Sequence, residues 1–369
     1  MNICILRSNK FSYSETFIDN QIAQLQPKVL VYEGWYPSIL PNGKSFLPFP
    51  LSILLVRGGL RNILPNVYRK LYHFFLAQYL KKQGIAVVLA NYGPMGASVY
   101  EACQRVNIPL IVHFHGFDGY HFDTLKKYAS EYKKMFEYAT KIIVVSNDMN
   151  EQLLKLGAKP EQIVLNPYGV SLDKFWGAQP AQAPIRFVYV GRFTAKKSPE
   201  NLLRAFDLVQ QQIPEARLVT VGDGELFEQA QTLAKELGIA DKVEFKGKKT
   251  PTEIAEILRT ARCFVQHSVR ATNGDSEGTP NTVLEASATG LPIVSTTHAG
   301  IRDAVVHGET GFLVEEGDWK SMAIYMIRLA QDPNLAEQMG QAARNHIEQN
   351  YGMQERADSL KMILKQAIL

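Results

Sequence analysis

The chain has 369 residues, 46% hydrophobic, 10% aromatic and 21% charged, which excludes a disordered, collagenous or disulfide-stapled protein and leaves room for two domains with cores of their own. Its net charge of +4 is uneven: residues 1–180 carry 19 basic and 12 acidic side chains, residues 181–369 carry 21 and 24. A basic half joined to a mildly acidic one points to an anionic partner for the first half.

In chain order, apolar runs at 2–6, 29–33, 86–92, 109–115, 141–146 and 163–167 read as strands. Helical patterns at 15–25, 65–82, 94–106, 121–138 and 147–156 lie among them. Continuous Val/Ile/Leu strands alternating with helices predict a parallel sheet covered on both faces. Residues 173–185, with Pro180 and Pro184, read as a linker. The alternation then restarts. Strands are expected at 186–191, 216–222, 242–246, 263–267, 291–296 and 311–314, and helices at 199–213, 225–237, 252–261, 281–289 and from 318 onward. The reading is α/β: an N-terminal doubly wound domain over 1–172, the linker, a second doubly wound domain over 186–350, and a terminal helix over 351–369. Ligands of such sheets sit at the carboxyl ends of the strands, and the cleft between two such domains is the expected site.

Three scattered cysteines, Cys4, Cys103 and Cys263, offer neither a CxxC pair nor zinc spacing. They fit a reducing cytoplasm. The first residues carry no signal-peptide core, and no run of about 18 apolar residues exists to cross a membrane. Any membrane contact is expected to be peripheral. The basic residues are not interleaved with an aromatic platform or a reading helix, so nucleic acid is not the expected partner.

Chemistry concentrates in three segments. In SVRATNGDSEGTPNTVLEASATGLPIVSTT (268–297), a buried strand enters a polar loop and then a helix near Pro280. Thr279 suits the N-cap and Pro280 the first helical position. The amides of Asn281, Thr282 and Val283 would then form an anion site at the helix start. Glu277 precedes that site, and Glu285 follows on the helix with its side chain leaning back toward the N-terminus. The second segment, VYVGRFTAKKSPENLLRAF (188–206), sets Arg192 and Lys197 in the turn after a strand, where a guanidinium fork and an ammonium can clamp a diphosphate. Lys196 reads as a bystander. The third, HFHGFDGYHFD (113–123), ends a buried strand with His115, Gly116 and Asp118. His113 reads as core, and His115 reads either as a cleft residue or as a structural histidine.

The EGTPNTVLE and GRFTAKKSPENLL runs, with VGDGEL at 221–226 and FKG at 245–247, resemble family 4 of the glycosyltransferases, the retaining enzymes of GT-B fold. GDSEGTPN and SETFIDNQIAQL resemble the branch that builds bacterial exopolysaccharide, of colanic-acid type. The resemblance implies two Rossmann-like domains facing a cleft, the first for the acceptor and the second for a nucleotide sugar, with a C-terminal helix returning to the first domain. It implies a retaining transfer of a hexose from a nucleotide diphosphate sugar to a saccharide or polyprenyl-diphosphate-linked acceptor.

Carried over residue by residue, Glu277 and Glu285 match the family's paired glutamates. Glu277 would face the transferred hexose near its anomeric carbon, and Glu285 the donor ribose. Arg192 and Lys197 match the diphosphate clamp, and His115 the histidine near the donor sugar. Gly278, Thr279, Asn281, Thr282 and Val283 would line the phosphates. Gly222 and Gly224 would let the chain pass close to the donor, with Gly247 and Lys248 bordering the base. Asp118 would orient His115 or bind acceptor.

Departures are plain. RSNKFSYSETFI stands where many members carry a Gly-rich loop, so Ser14 and Thr16 would supply donors at that helix start. EGTP replaces EGFG, and Ser198 replaces the glycine after the lysine. No Asp-x-Asp motif is present, so protein cations and amides are expected to neutralise the leaving diphosphate without a metal. The competing readings are a non-catalytic nucleotide-sugar-binding scaffold and a sugar phosphorylase or epimerase on the same fold. Residues 57–82, with Arg61, Arg69, Lys70, Leu71, Tyr72, Phe74 and Phe75, suit an amphipathic helix on an anionic membrane or an ordinary core helix with a basic face. In the terminal helix, Leu360, Met362, Ile363 and Ile368 are expected to pack on the first domain.

Overall fold

The computed structural model describes residues 1–10, 15–48 and 64–368. It divides into two compact units. The first comprises 1–145, 149–166 and 357–369; the second comprises 146–148 and 167–356.

The first unit holds β1 (Ile3–Leu6), α1 (Thr16–Leu25), β2 (Val29–Val31), α2 (Pro65–Lys82), β3 (Val87–Asn91), α3 (Gly93–Arg105), β4 (Leu110–His113), α4 (Phe122–Tyr138), β5 (Lys141–Val144), α5 (Asn147–Lys155) and β6 (Ile163–Leu165). The described strands form one parallel sheet in the order β2-β1-β3-β4-β5-β6. The order reverses at β1, which pairs β2 on one side and β3 on the other. β1, β3 and β4 are buried along their whole length, as unbroken apolar strands covered on both faces must be.

The second unit holds β7 (Arg186–Val190), α6 (Pro199–Gln212), β8 (Arg217–Val221), α7 (Phe227–Glu236), β9 (Val243–Phe245), α8 (Pro251–Arg259), β10 (Cys263–Gln266), α9 (Asn281–Thr289), β11 (Ile293–Thr296), β12 (Gly311–Val314), α10 (Trp319–Gln331) and α11 (Pro333–Asn350). Its sheet is again parallel, in the order β12-β11-β10-β7-β8-β9. The switch point lies between β7 and β10, paired at Cys263↔Phe187 and Phe264↔Val188. Phe187, Phe206, Val209, Leu218, Val265 and Met326 are among its core.

Residues 173–185 do not run free. Arg259 donates to the carbonyls of Trp176 and Lys174, Arg262 to that of Ala183, and the Ala178 amide to Thr289 O. Arginines and backbone bonds thus hold this proline-bearing segment to the second unit.

The last helix, α12 (Met353–Gln366), carries the chain back into the first unit. Leu360, Ile363 and Leu364 are buried with Ile3, Ile5, Val87, Leu89, Ile111 and Ile143. The expected Met362 and Ile368 are exposed instead. Positions 360, 363, 364 and 367 make one stripe at helical spacing, and Met362 points away from it. The three cysteines are buried free thiols.

Candidate active site

Three loops at the carboxyl ends of β7, β8 and β9 are knitted together by backbone. Gly191 N donates to Val221 O (2.9 Å), Phe193 N to Asp223 O (2.8 Å) and Gly222 N to Gly247 O (2.8 Å). This crossing explains two glycines. Gly222 (φ +128) and Gly224 (φ +153) occupy backbone conformations that side chains rarely adopt, and a Cβ there would meet Gly191 O at 2.0 Å and Phe193 O at 2.4 Å. Their close approach is to the Arg192 turn. They shape the loop on which Arg192 sits; the family resemblance implies, beyond this, a close passage to the donor. Gly247 faces open space, and beside it exposed Lys248 pairs with Asp223 at 2.7 Å.

Arg192 and Lys197 follow β7, and Glu277 lies in the loop after β10, so the switch point brings them to one place. Lys197 and Glu277 are buried, with Lys197 Nζ 3.3 Å from Glu277 Oε1 as an ion contact. Burial alone would raise the Glu277 carboxyl, but Lys197 and Lys196 outweigh it and hold it down at about 2. Burial lowers the Lys197 ammonium; Glu277 opposes the shift, and Lys196 and Arg192 add to it. Arg192 is exposed. Lys196 is no bystander: it is buried and reaches Asp275 Oδ1 and Ser276 O, both at 3.2 Å, pinning the loop that carries Glu277. Ser198 adopts φ +38, which explains the family's glycine at that position. Asn201 Nδ2 donates to Ser198 Oγ at 2.8 Å and steadies the turn.

The start of α9 differs from expectation in two ways. Pro280, with ψ 117, is the N-cap residue; the helix begins at Asn281, and no side chain caps it. Thr279 is turned toward Gly300, where a Cβ would lie 2.3 Å from its Oγ1. The Val283 amide donates to Pro280 O at 3.1 Å, which leaves Asn281 and Thr282 as the amides at the mouth of the helix. Thr282 Oγ1 is held by Gln266 Oε1 at 3.3 Å, and Gln266 Nε2 donates to Ser268 Oγ. Gln266, buried at the end of β10, thus ties strand to helix; the sequence reading missed it because it looks like one more strand residue.

Glu285 lies on α9, half-buried. Burial pushes its carboxyl up to about 8, with Lys174 opposing only weakly. It is therefore protonated at neutral pH when folded and ionised when unfolded. The folded state holds the extra proton, so stability falls as pH rises from the ordinary carboxylate value of 4.5 to about 8. Glu285→Gln removes that loss. Thermal melts should show the variant about 3–6 °C above the parent at pH 8 and no different near pH 4. A constant offset at both pH values would contradict the assignment.

In the first unit, the strand ends are also polar. Asp118 is fully buried, and its carboxylate accepts from the amides of Gly93 (2.9 Å), His115 (3.0 Å) and Gly116 (2.9 Å). Burial pushes it up to about 6 against those three donors. Of the two roles left open for it, this geometry supports orientation of the His115 backbone. His115 Nε2 lies 3.0 Å from Asn91 Oδ1, and burial, with His113 4.2 Å away, keeps its ring neutral. His113 Nδ1 meets Gln21 Nε2 at 2.9 Å.

Ser14 lies outside the described residues. Thr16 opens α1 but is exposed, and Glu15, at the N-cap position, makes no cap. Glu15 instead accepts from Tyr92 Oη (3.0 Å) and faces buried Arg7, which also pairs with Asp19. Among the described residues, no three His, Cys, Asp or Glu side chains are grouped as metal ligands.

Comparison with known proteins matches residues 173–346 to the glycosyl transferases group 1 model and residues 23–174 to the glycosyltransferase family 4 model. The chain is 29% identical over 275 residues to a putative colanic acid biosynthesis glycosyltransferase, WcaL, of Salmonella typhimurium, covering 73% of this chain and 67% of the relative. It is 27% identical over 311 residues to the amylovoran biosynthesis glycosyltransferase AmsK of Erwinia amylovora, covering 78% and 76%. Among solved structures it resembles sucrose-phosphate synthase of Thermosynechococcus elongatus (TM-score 0.77, 20% identity, 99% and 98% coverage). It also resembles HepE of Anabaena in complex with UDP and glucose (TM-score 0.76, 16% identity, 99% and 100% coverage). At such identities the structures speak for the fold.

Proposed function

The chain belongs to the family 4 glycosyltransferases of GT-B fold, of the exopolysaccharide type, and from that premise we propose that it moves a hexose from a nucleotide diphosphate sugar to a saccharide or lipid-linked saccharide, retaining the anomeric configuration. One observation carries this reading: Lys197 and Lys196 hold a buried Glu277 ionised at the switch point of the second sheet, and the charge of Arg192 reaches Lys197 there. A carboxylate kept charged there suits a developing oxocarbenium ion, and the surplus of cations suits a leaving diphosphate. HepE has been solved with UDP-glucose, which supports a nucleotide sugar as donor.

In this mechanism Arg192, Lys197 and the amides of Asn281 and Thr282 neutralise the diphosphate without a metal. Glu285 holds the ribose, Gly247 and Lys248 border the base, and neutral His115 contacts the sugar. The acceptor hydroxyl attacks from the face the diphosphate leaves, and a leaving phosphate oxygen takes its proton. The test is a panel of UDP-, GDP- and dTDP-sugars scored for binding and for transfer or slow hydrolysis. Release of nucleoside diphosphate from one of them by the parent, and not by Glu277→Gln, supports the reading. Binding without release by either would favour the scaffold.

A lipid-linked acceptor implies work at the cytoplasmic membrane surface, and among the described residues no helix is long and apolar enough to cross a membrane. The face differs from the sequence expectation. Arg61 lies outside the described residues, Arg69 is engaged by Glu101 (2.5 Å) and Glu131 (3.6 Å), and Tyr72 is buried. Among the exposed residues are Val67, Lys70 and Phe74 on α2, and Phe122, Asp123, Lys126, Lys127, Lys133, Lys134 and Glu137 on α4, with Lys134 paired to Glu131 at 3.0 Å. The Arg69–Glu131 contact joins the two helices. Each basic group near an anionic surface contributes about 1 kcal/mol. Lys70, Lys126 and Lys127 replaced by Glu should reduce co-sedimentation with phosphatidylglycerol vesicles at least about tenfold. Unchanged sedimentation would remove the membrane from the proposal.

A further inference from the structure

His298 follows β11 in the turn His298–Gly300, and it is buried. Its Nε2 meets the Glu277 amide at 3.3 Å and Ser276 Oγ at 3.1 Å. A backbone amide can only donate, so Nε2 is the acceptor and Nδ1 carries the proton. Nδ1 donates to Glu316 Oε1, and Glu316 Oε2 accepts from the Arg270 amide at 2.8 Å. Burial raises the Glu316 carboxyl, but the bonds from His298 and Arg270 outweigh it and hold the group ionised. One carboxylate thus fixes the tautomer of the histidine that holds the Glu277 backbone.

The same turn grips the loop a second time. Gly300 N donates to Gly278 O at 2.9 Å, and a Cβ on Gly300 would meet Gly278 O at 2.4 Å. Between the two grips Ala299 adopts φ +43, a left-handed conformation uncommon for a residue with a Cβ. Glu277 is therefore held through its backbone on both sides, by His298 before it and Gly300 after it.

We propose that His298 is a positioning residue for Glu277: with Glu316 fixing Nε2 as acceptor, it sets the Glu277 backbone and hence the direction of the carboxylate. This rests on the reading that Glu277 faces the transferred sugar. The donor phosphates meet other residues, so loss of His298 acts on the chemical step and spares nucleotide binding.

The experiment compares the parent with His298→Phe, His298→Gln, Glu316→Ala and Glu277→Gln. UDP and GDP affinity is measured by calorimetry, and single-turnover release from the nucleotide sugar that the parent consumes is followed. His298→Phe should slow release about 30–100-fold while nucleotide Kd stays within about threefold. His298→Gln, whose Oε1 can accept the Glu277 amide, should recover to within about tenfold of the parent. Glu316→Ala, which frees the tautomer, should lie between them. Far-ultraviolet dichroism identifies a variant that fails to fold; should His298→Phe fail, the Gln and Glu316 variants decide by the same criteria. Parent-like rates in the His298 and Glu316 variants beside a slow Glu277→Gln would overturn the positioning role. So would a rate loss matched by an equal loss of nucleotide affinity. A Glu277→Gln that keeps the parent rate would instead overturn the reading of Glu277 itself.

Discussion

Glu277→Gln is expected to lower turnover by about 10²–10³-fold, roughly 2.7–4 kcal/mol of transition-state stabilisation, while leaving nucleoside-diphosphate affinity nearly intact. The substitution keeps size and removes a charge that Lys197 and Lys196 hold in place despite burial. Arg192→Ala should cost a similar factor and also weaken the free nucleoside diphosphate, because the charge it faces is fully developed in that product. Lys197→Ala is a less clean probe than the sequence suggests. Its ammonium lies 3.3 Å from Glu277, so its removal leaves a buried carboxylate with less compensation and raises its proton affinity. Its rate loss should deepen as pH falls, and that of Arg192→Ala should not. Glu285→Ala should weaken nucleotide binding with a smaller effect on the bound donor. Added chelator should change none of these rates. Single-turnover kinetics and calorimetry on each variant check the pattern; a fully active Glu277→Gln, or a parent silenced by chelator, would end the mechanism.

Deleting 352–369 is expected to destabilise the first unit by at least about 5 kcal/mol. Leu360, Ile363 and Leu364 are each almost fully buried against β1, β3, β4 and β5. Burial of a Leu or Ile side chain contributes about 1.5–3 kcal/mol, and the sheet surface they cover would be newly exposed as well. A loss of that size approaches the whole stability of an ordinary domain. The truncated protein should therefore be insoluble or unfold far below the parent. A point version separates burial from length: Leu364→Ala should cost about 2–5 kcal/mol, and Met362→Ala, at an exposed position, almost nothing. Differential scanning calorimetry reads both, and equal shifts for the two would contradict the packing described here.

Much of this protein is determined by its sequence alone. Unbroken apolar runs between amphipathic stretches placed the twelve strands of the described residues within a residue or two of where they lie, because a strand buried on both faces leaves a local signature that needs no partner to be read. The motifs likewise singled out Arg192, Lys197 and Glu277 after strands, where charged residues interrupt that apolar pattern, and Glu285 on the helix that follows, as candidates for the site. What the sequence could not determine depends on contacts between distant segments. His298 and Glu316 look like loop residues until β11 and β12 are laid beside β10, and Lys196 looks idle until Asp275 and Ser276 come within 3.2 Å. Gly222 and Gly224 announce a tight turn, but only the crossing of two loops shows that the Arg192 turn is what they make room for. Thr279 fits the composition of a cap, yet Pro280 keeps an extended ψ and the turn at Gly300 claims the space beside Thr279. Local preference is written residue by residue, whereas the protonation of Glu277 and Glu285 follows from burial and neighbouring charge, which exist only once the sheet has brought the segments together.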